Sequence, residues 1–310
     1  EAVVTAATES GVAQEDAGGA LVVDLSKRGI PTFLLRKSDG GSNYITRDLA
    51  ALRHRPQLFH ADEVLYVVGN EQSDHFKGVF ALSEELGDIK PGQAEHVGFG
   101  MITREGKKIA SREGAGGLDQ LLDELSNGSL RVLQGKYPEE DPEKLRQAAE
   151  AIGKGALVYR NFMQSRERNM DFDPEEMLNM SQQSGPYLQY TALRIKRLLE
   201  QMGSVADFAG VEGKVIEDLP PEMKALLLEA ARFPEVLAGT SKARAPHMLA
   251  EYLYSLCSGF NTMYSKGKKG GRMMDMDADR KVVYERSLKV VLNVIGRGLS
   301  ILNMEIPAVM

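Results

Sequence analysis

Residues 33–52 read Phe-Leu-Leu-Arg-Lys-Ser-Asp-Gly-Gly-Ser-Asn-Tyr-Ile-Thr-Arg-Asp-Leu-Ala-Ala-Leu. A short apolar run, a glycine turn and the start of a helical pattern follow one another, so the stretch predicts strand, turn and helix. On that helix Tyr44 and Asp48 are four residues apart and share a face. An aromatic ring beside a carboxylate suits a guanidinium. The carboxylate accepts two parallel N–H bonds, and the ring can hydrogen-bond or stack on the cation. The plainer reading is an N-capped helix with Thr46 or Asp48 at its start and one solvated acid.

Around this stretch the first half of the chain alternates strand and helix signals. Residues 20–25 and 31–36 are short apolar runs, and Val64-Leu-Tyr-Val-Val68 reads as a strand buried on both faces. Residues 71–86 follow as a helix with Phe76, Val79, Phe80 and Leu82 on one stripe, and 95–102 as a further strand. That rhythm predicts a parallel sheet with crossover helices, whose ligands bind at the carboxyl ends of strands. From about residue 141 helical periodicity takes over. Residues 143–159 read as one helix, and Asp173-Pro-Glu-Glu176 is a helix start. The stripes Leu249, Leu253, Leu256, Phe260, Met263 and Leu288, Val291, Leu292, Ile295, Leu299, Leu302 predict a packed bundle. The fold class expected is α/β, then all-α. A partial Rossmann-like parallel sheet over 1–165 precedes a helical bundle over 166–310.

Composition narrows the function classes. The 310 residues carry a formal net charge of −6, which counts against a generally basic nucleic-acid binder but leaves local phosphate contacts open. There is no run of eighteen apolar residues, so no membrane span is expected, and the first seventeen residues lack the pattern of a signal peptide. The single cysteine, Cys257, sits in an apolar helical pattern and is expected in the core, and the cytoplasm is the natural compartment. The densest basic cluster, Lys266-Gly-Lys-Lys-Gly-Gly-Arg272, reads as a glycine-rich surface loop.

Three more segments carry chemistry. Val67-Val-Gly-Asn-Glu-Gln-Ser-Asp-His-Phe76 lies at a strand-to-helix junction, where Gln72 can both donate and accept. Glu95-His-Val-Gly-Phe-Gly-Met101 has glycines that let backbone approach a flat ligand. Gly106-Lys-Lys-Ile-Ala-Ser-Arg-Glu-Gly114 is a basic loop that can place positive charge on a polyphosphate. An exposed turn is the plain alternative.

In this order the segments resemble the second half of a class I arginyl-tRNA synthetase, from about Gly18 to Met310. The resemblance continues in Ser184-Gly-Pro-Tyr-Leu-Gln-Tyr190 with Ala192-Leu-Arg194, which is similar to the opening of the family's anticodon-binding domain. It implies activation of L-arginine with ATP, accompanied by Mg2+, and transfer to cognate tRNA. Tyr44, Asp48 and Gln72 would hold the guanidinium. His96, Phe99, Gly100 and Met101 would surround the adenosine. Lys107, Lys108, Ser111 and Arg112 would form the catalytic signature loop, which departs from the common Lys-Met-Ser pattern at Ile109 and Ala110. The basic residues Arg194, Arg197, Lys266, Lys268, Lys269 and Arg272 would meet tRNA. No resident metal site is implied, and the full-length enzyme would be a monomer. The chain lacks the family's upstream His-x-Gly-His signature, His96-Val-Gly-Phe99 being only an echo. The match therefore looks like a C-terminal portion, with little activity expected of this chain alone. Two other readings stay open. One is a non-catalytic tRNA-binding or protein-interaction module on the same scaffold. The other is an unrelated nucleotide-binding protein with a helical interaction domain.

Overall fold

The computed structural model describes residues 1–109, 117–203, 219–270 and 277–310. Two packing units divide the chain, Glu1–Gly100 and Met101–Met310. This packing division falls earlier than the domain boundary expected at 165/166.

In the first unit, helix α1 (Ala2–Glu9) precedes three strands, β1 (Ala13–Glu15), β2 (Leu21–Leu25) and β3 (Ile30–Arg36), in an antiparallel sheet. Helix α2 (Tyr44–Phe59) leads to β4 (Val64–Gly69), helix α3 (Ser73–Glu85) and β5 (Ala94–Phe99), and β4 and β5 pair in parallel. The expected strands at 20–25 and 31–36 are therefore present but run antiparallel. The short turn that joins them, closed by Gly29 at φ 71°, cannot make a parallel crossover. In this unit the parallel crossover is β4–α3–β5. Val3, Leu21, Val23, Leu35, Leu49, Leu52, Phe76, Val79 and Leu82 form one buried cluster.

β4 is buried on one face, not two. Tyr66 is 8% exposed, while Leu65 and Val67, which point the other way, are 42% and 65% exposed. The aromatic rings of Phe76 and Phe80 on α3 lie 4.9 and 5.4 Å from Tyr66, so the helix covers the Tyr66 face. The expected strand over 95–102 is also divided. β5 ends at Phe99, and Ile102–Arg104 forms β6 in another sheet, paired with β7 (Lys107–Lys108) and β8 (Met170–Asp171).

The second unit is otherwise helical among the described residues. Its helices are α4 (Leu118–Lys136), α5 (Pro142–Phe162), α6 (Pro174–Met177), α7 (Gly185–Met202), α8 (Pro221–Ala231), α9 (Phe233–Ala243), α10 (Pro246–Gly270) and α11 (Ala278–Ile301). Asp141, Asp173 and Ser184 cap α5, α6 and α7, each followed by proline within the first two positions. The two apolar stripes read from sequence meet in one core with Tyr159, Leu188 and Ile195, and Cys257 is fully buried there. Helix α10 runs on to Gly270, so 266–270 is helical and not the loop its glycines suggested.

Candidate functional site

The start of α2 is pinned twice. Asn43 is its cap, where the Thr46 N–H donates to Asn43 Oδ1 at 3.0 Å and the Asn43 N–H reaches the Thr46 hydroxyl at 3.4 Å. The Asn43 amide and the Thr46 hydroxyl also donate to the carbonyls of Leu34 and Leu35 on β3. The cap is thus Asn43 and not Thr46 or Asp48, because the Asn43 side chain already closes the box. Both later residues stand inside the helix. Tyr44 is 81% exposed in its first turn, and Asp48 is half-buried one turn on.

Asp48 has a partner that spacing could not reveal. His75 Nε2, on the first turn of α3, lies 2.7 Å from Asp48 Oδ2. Gln72, exposed, is the residue that opens α3, so the link brings the Tyr44–Asp48 face next to the Gln72 turn. The pair is 27 residues apart in the chain. One oxygen of Asp48 is thereby engaged, and Oδ1 makes the carboxylate's remaining acceptor edge.

At the β4–β5 pair, His96 is half-buried. Its Nε2 lies 3.0 Å from the Val68 carbonyl, and its ring stacks on Phe76 at 5.2 Å. Phe99 is exposed at the strand end, and Gly100 is half-buried. The space a side chain would fill at Gly98 is taken by the Asn70 amide. Close approach there serves the protein's own packing.

In the second unit, Met101 donates from its backbone N–H to Asn169 Oδ1 at 2.8 Å. Lys107 and Lys108 sit on a β-hairpin, not in an open loop. Lys107 is opposite Arg104 and Lys108 opposite Thr103, with Glu105 and Gly106 at φ 52° and 74° in the turn. Asn, Asp and Gly usually take such conformations, and Gly106 supplies one of the two here. The Asp171 carboxylate accepts from the Thr103 hydroxyl at 2.7 Å and from the Gly106 N–H at 3.2 Å. Those bonds hold its pKa below the usual range. Both lysines are exposed, whereas Ser111 and Arg112 lie outside the described residues.

The helical unit engages its cations more than the sequence suggests. Arg194 is half-buried, not exposed. Its guanidinium lies 4.5 Å from the Tyr190 ring centre and 5.4 Å from that of Tyr264, and donates to Asn261 Oδ1 at 2.5 Å. The Asn261 amide donates in turn to the Tyr187 hydroxyl at 3.0 Å and Thr191 at 2.8 Å. The hydrogen bond from Arg194 lowers the Tyr190 phenol pKa. Arg197 is half-buried as well, because α7 packs this flank toward the core. Lys266 is paired with Glu222 at 2.9 Å. Tyr187, Ser258, Asn261, Thr262, Ser265 and Lys266 line an open cleft of about 400 Å³. The side chains of Lys268 and Lys269, and Arg272 entirely, lie outside the described residues. Tyr187, Tyr190 and Arg194 recur at helical spacing and could have been singled out, whereas Asn261 and Tyr264 could not. Among the described residues no group of three or more His, Cys, Asp or Glu is placed to hold a metal ion.

A parallel strand–helix–strand unit, a basic hairpin and a set of packed helices, in this order along the chain, fit a class I aminoacyl-tRNA synthetase. Comparison with known proteins gives the same class. Residues 1–174 match the family model described as tRNA synthetases class I (R), catalytic domain, and 188–310 match the DALR anticodon binding domain. The chain belongs to the class I arginyl-tRNA synthetase family. Arginine–tRNA ligase 1 of Bacillus cereus is 32% identical over 295 residues, covering 94% of this chain and 50% of that protein. Arginine–tRNA ligase of Lactiplantibacillus plantarum is 33% identical over 294 residues, with the same coverage. The chain thus spans about half the length of the curated relatives it matches. Arginyl-tRNA synthetase from Plasmodium falciparum superposes with a TM-score of 0.80 at 23% identity, covering 98% of this chain and 51% of that one. The Thermus thermophilus enzyme gives 0.81 at 20%, covering 100% and 57%. At these identities the superpositions establish the fold.

Proposed function

We propose that this chain supplies the arginine side-chain pocket, the signature hairpin and the anticodon-binding bundle of an arginine–tRNA ligase. The observation that carries this reading is the half-buried Asp48 carboxylate, fixed by His75 one helical turn from Tyr44. In the reaction, the carboxylate of L-arginine attacks the α-phosphorus of ATP and pyrophosphate leaves. A terminal hydroxyl of tRNA then attacks the carbonyl of the arginyl-adenylate and AMP leaves. Asp48 and Gln72 would accept the guanidinium N–H groups, with the Tyr44 ring against it. His96, Phe99, Gly100 and Met101 would flank the adenosine. Lys107 and Lys108, with Ser111 and Arg112, would meet the charge that develops on pyrophosphate. Mg2+ would enter on the phosphates of ATP, as this ion usually does.

The Arg194–Tyr190–Tyr264 cluster and the cleft beside Lys266 supply cation and aromatic faces for an unpaired tRNA base and its phosphate. Arg197, Lys268, Lys269 and Arg272 would add charge. On this reading residues 1–165 belong to catalysis and 166–310 to tRNA. The protein would work in the cytoplasm as a monomer. No helix among the described residues is long and apolar enough to cross a membrane.

The test is L-arginine binding by calorimetry with Asp48→Asn. Loss of a charge-assisted hydrogen bond of about 1.5–3 kcal/mol predicts an affinity weaker by roughly tenfold to over a hundredfold. Unchanged affinity refutes the pocket. Robust arginine-dependent ATP–pyrophosphate exchange by this chain alone would refute the expectation of little activity, and no tRNA binding at low salt would favour a protein-interaction module on the same scaffold.

A further inference from the structure

His75 touches nothing outside the protein in the reading above, yet its placement is tightly determined. Its ring packs edge-on to Phe76, with centres 5.0 Å apart and planes at 85°. Phe76 is itself 3% exposed, stacked on His96 and tilted against Tyr66 and Phe80. Phe76, held by those rings, gives the imidazole a fixed surface to pack against. His75 sits in the first turn of α3, immediately after the Asn70–Gln72 turn. A ring so held aims Nε2 at Asp48 Oδ2.

A half-exposed aspartate on a helix otherwise samples several rotamers, and a ligand must stop that motion when it binds. We propose that His75 is a positioning residue for guanidinium recognition. It occupies Asp48 Oδ2 and presents Oδ1 to the arginine side chain. This rests on the reading of Tyr44, Asp48 and Gln72 as the arginine pocket and adds a residue to it. The chemistry asks for a donor that carries no charge of its own. An imidazole N–H at Nε2 would orient the carboxylate through Oδ2 and leave Oδ1 for the ligand. A permanent cation in the same place would compete with the guanidinium for it. A glutamine amide reaches about as far as Nε2 and is also a neutral donor. Alanine leaves Asp48 without its orienting bond.

Calorimetry on the full chain, with L-arginine and with L-citrulline as the uncharged probe, tests the assignment. His75→Ala should weaken arginine about tenfold and citrulline much less, so the arginine preference falls. His75→Gln should restore arginine affinity to within about threefold of the native protein. A merely structural role would lower thermal stability and weaken both probes alike. An unchanged arginine-to-citrulline ratio in His75→Ala, or a glutamine variant no better than alanine, overturns the inference and leaves the pocket standing. Absence of arginine binding by the native chain instead refutes the pocket, and this inference with it.

Discussion

Replacing Gly185 by alanine should loosen the helical unit at the point where α7 meets α5. Gly185 opens α7, and the Cβ of an alanine there would overlap the Gly155 carbonyl oxygen. It would also lie 2.5 Å from the Gly155 carbonyl carbon and 3.0 Å from the Ala156 nitrogen. The obstacle is backbone, which cannot swing aside as a side-chain tip can. Carbon atoms rest about 3.5–4.0 Å apart, so the two helices must part by about 1 Å. Overpacking of this kind costs about 1–3 kcal/mol, and the backbone clash places Gly185→Ala near the upper figure. A domain of this size loses about 2–4 °C per kcal/mol, so Tm should fall by roughly 6–12 °C. Gly135→Ala on α4 is the matched control, because nothing lies within 4 Å of its new Cβ. Removing a helical glycine there should stabilise by up to about 1 kcal/mol. Thermal unfolding followed by circular dichroism reads both, and tRNA binding by Gly185→Ala should weaken because α7 carries Tyr187, Tyr190 and Arg194. Equal melting temperatures for the two variants would refute the close-contact argument.

Alkaline stability should depend on buried phenols. Burial, with the nearby charge of Glu229, pushes Tyr252 up to about 12, and its hydroxyl donates to the Glu229 carbonyl at 2.9 Å. Because the unfolded phenol ionises near pH 10, this contribution is complete below about pH 10 and lost as pH rises toward 12. Tyr252→Phe should cost about 1 kcal/mol at neutral pH and flatten the decline above pH 10, and urea midpoints with the same alkaline slope as the native protein would contradict this. Lys107→Ala with Lys108→Ala should slow adenylate formation more than it weakens ATP, since the backbone pairing with Arg104 and Thr103 survives the change. Weaker ATP binding with an intact chemical step, measured in single turnovers, would make the hairpin a ground-state phosphate clamp.

Local chemistry made much of this protein legible in its sequence. Asp141-Pro142 and Asp173-Pro174 start helices because a short acid satisfies free N–H groups and proline needs none. Leu249, Leu253 and Phe260 recur at helical spacing and form the core they predict. Tyr44 and Asp48 share a face because an α-helix turns every 3.6 residues. The order of segments 33–52, 67–76, 95–101 and 106–114 was sufficient to point to the family. The direction of β2 against β3, and which face of β4 is covered, were decided by turn length and by where α3 lies. The Asp48–His75 pair spans 27 residues of chain, and Arg194 meets Asn261 across 67. A hydrogen bond between distant residues forms only where packed elements bring donor and acceptor together. The Tyr44–Asp48 face was therefore visible in the sequence, while the imidazole beside Asp48 was decided by the tertiary structure.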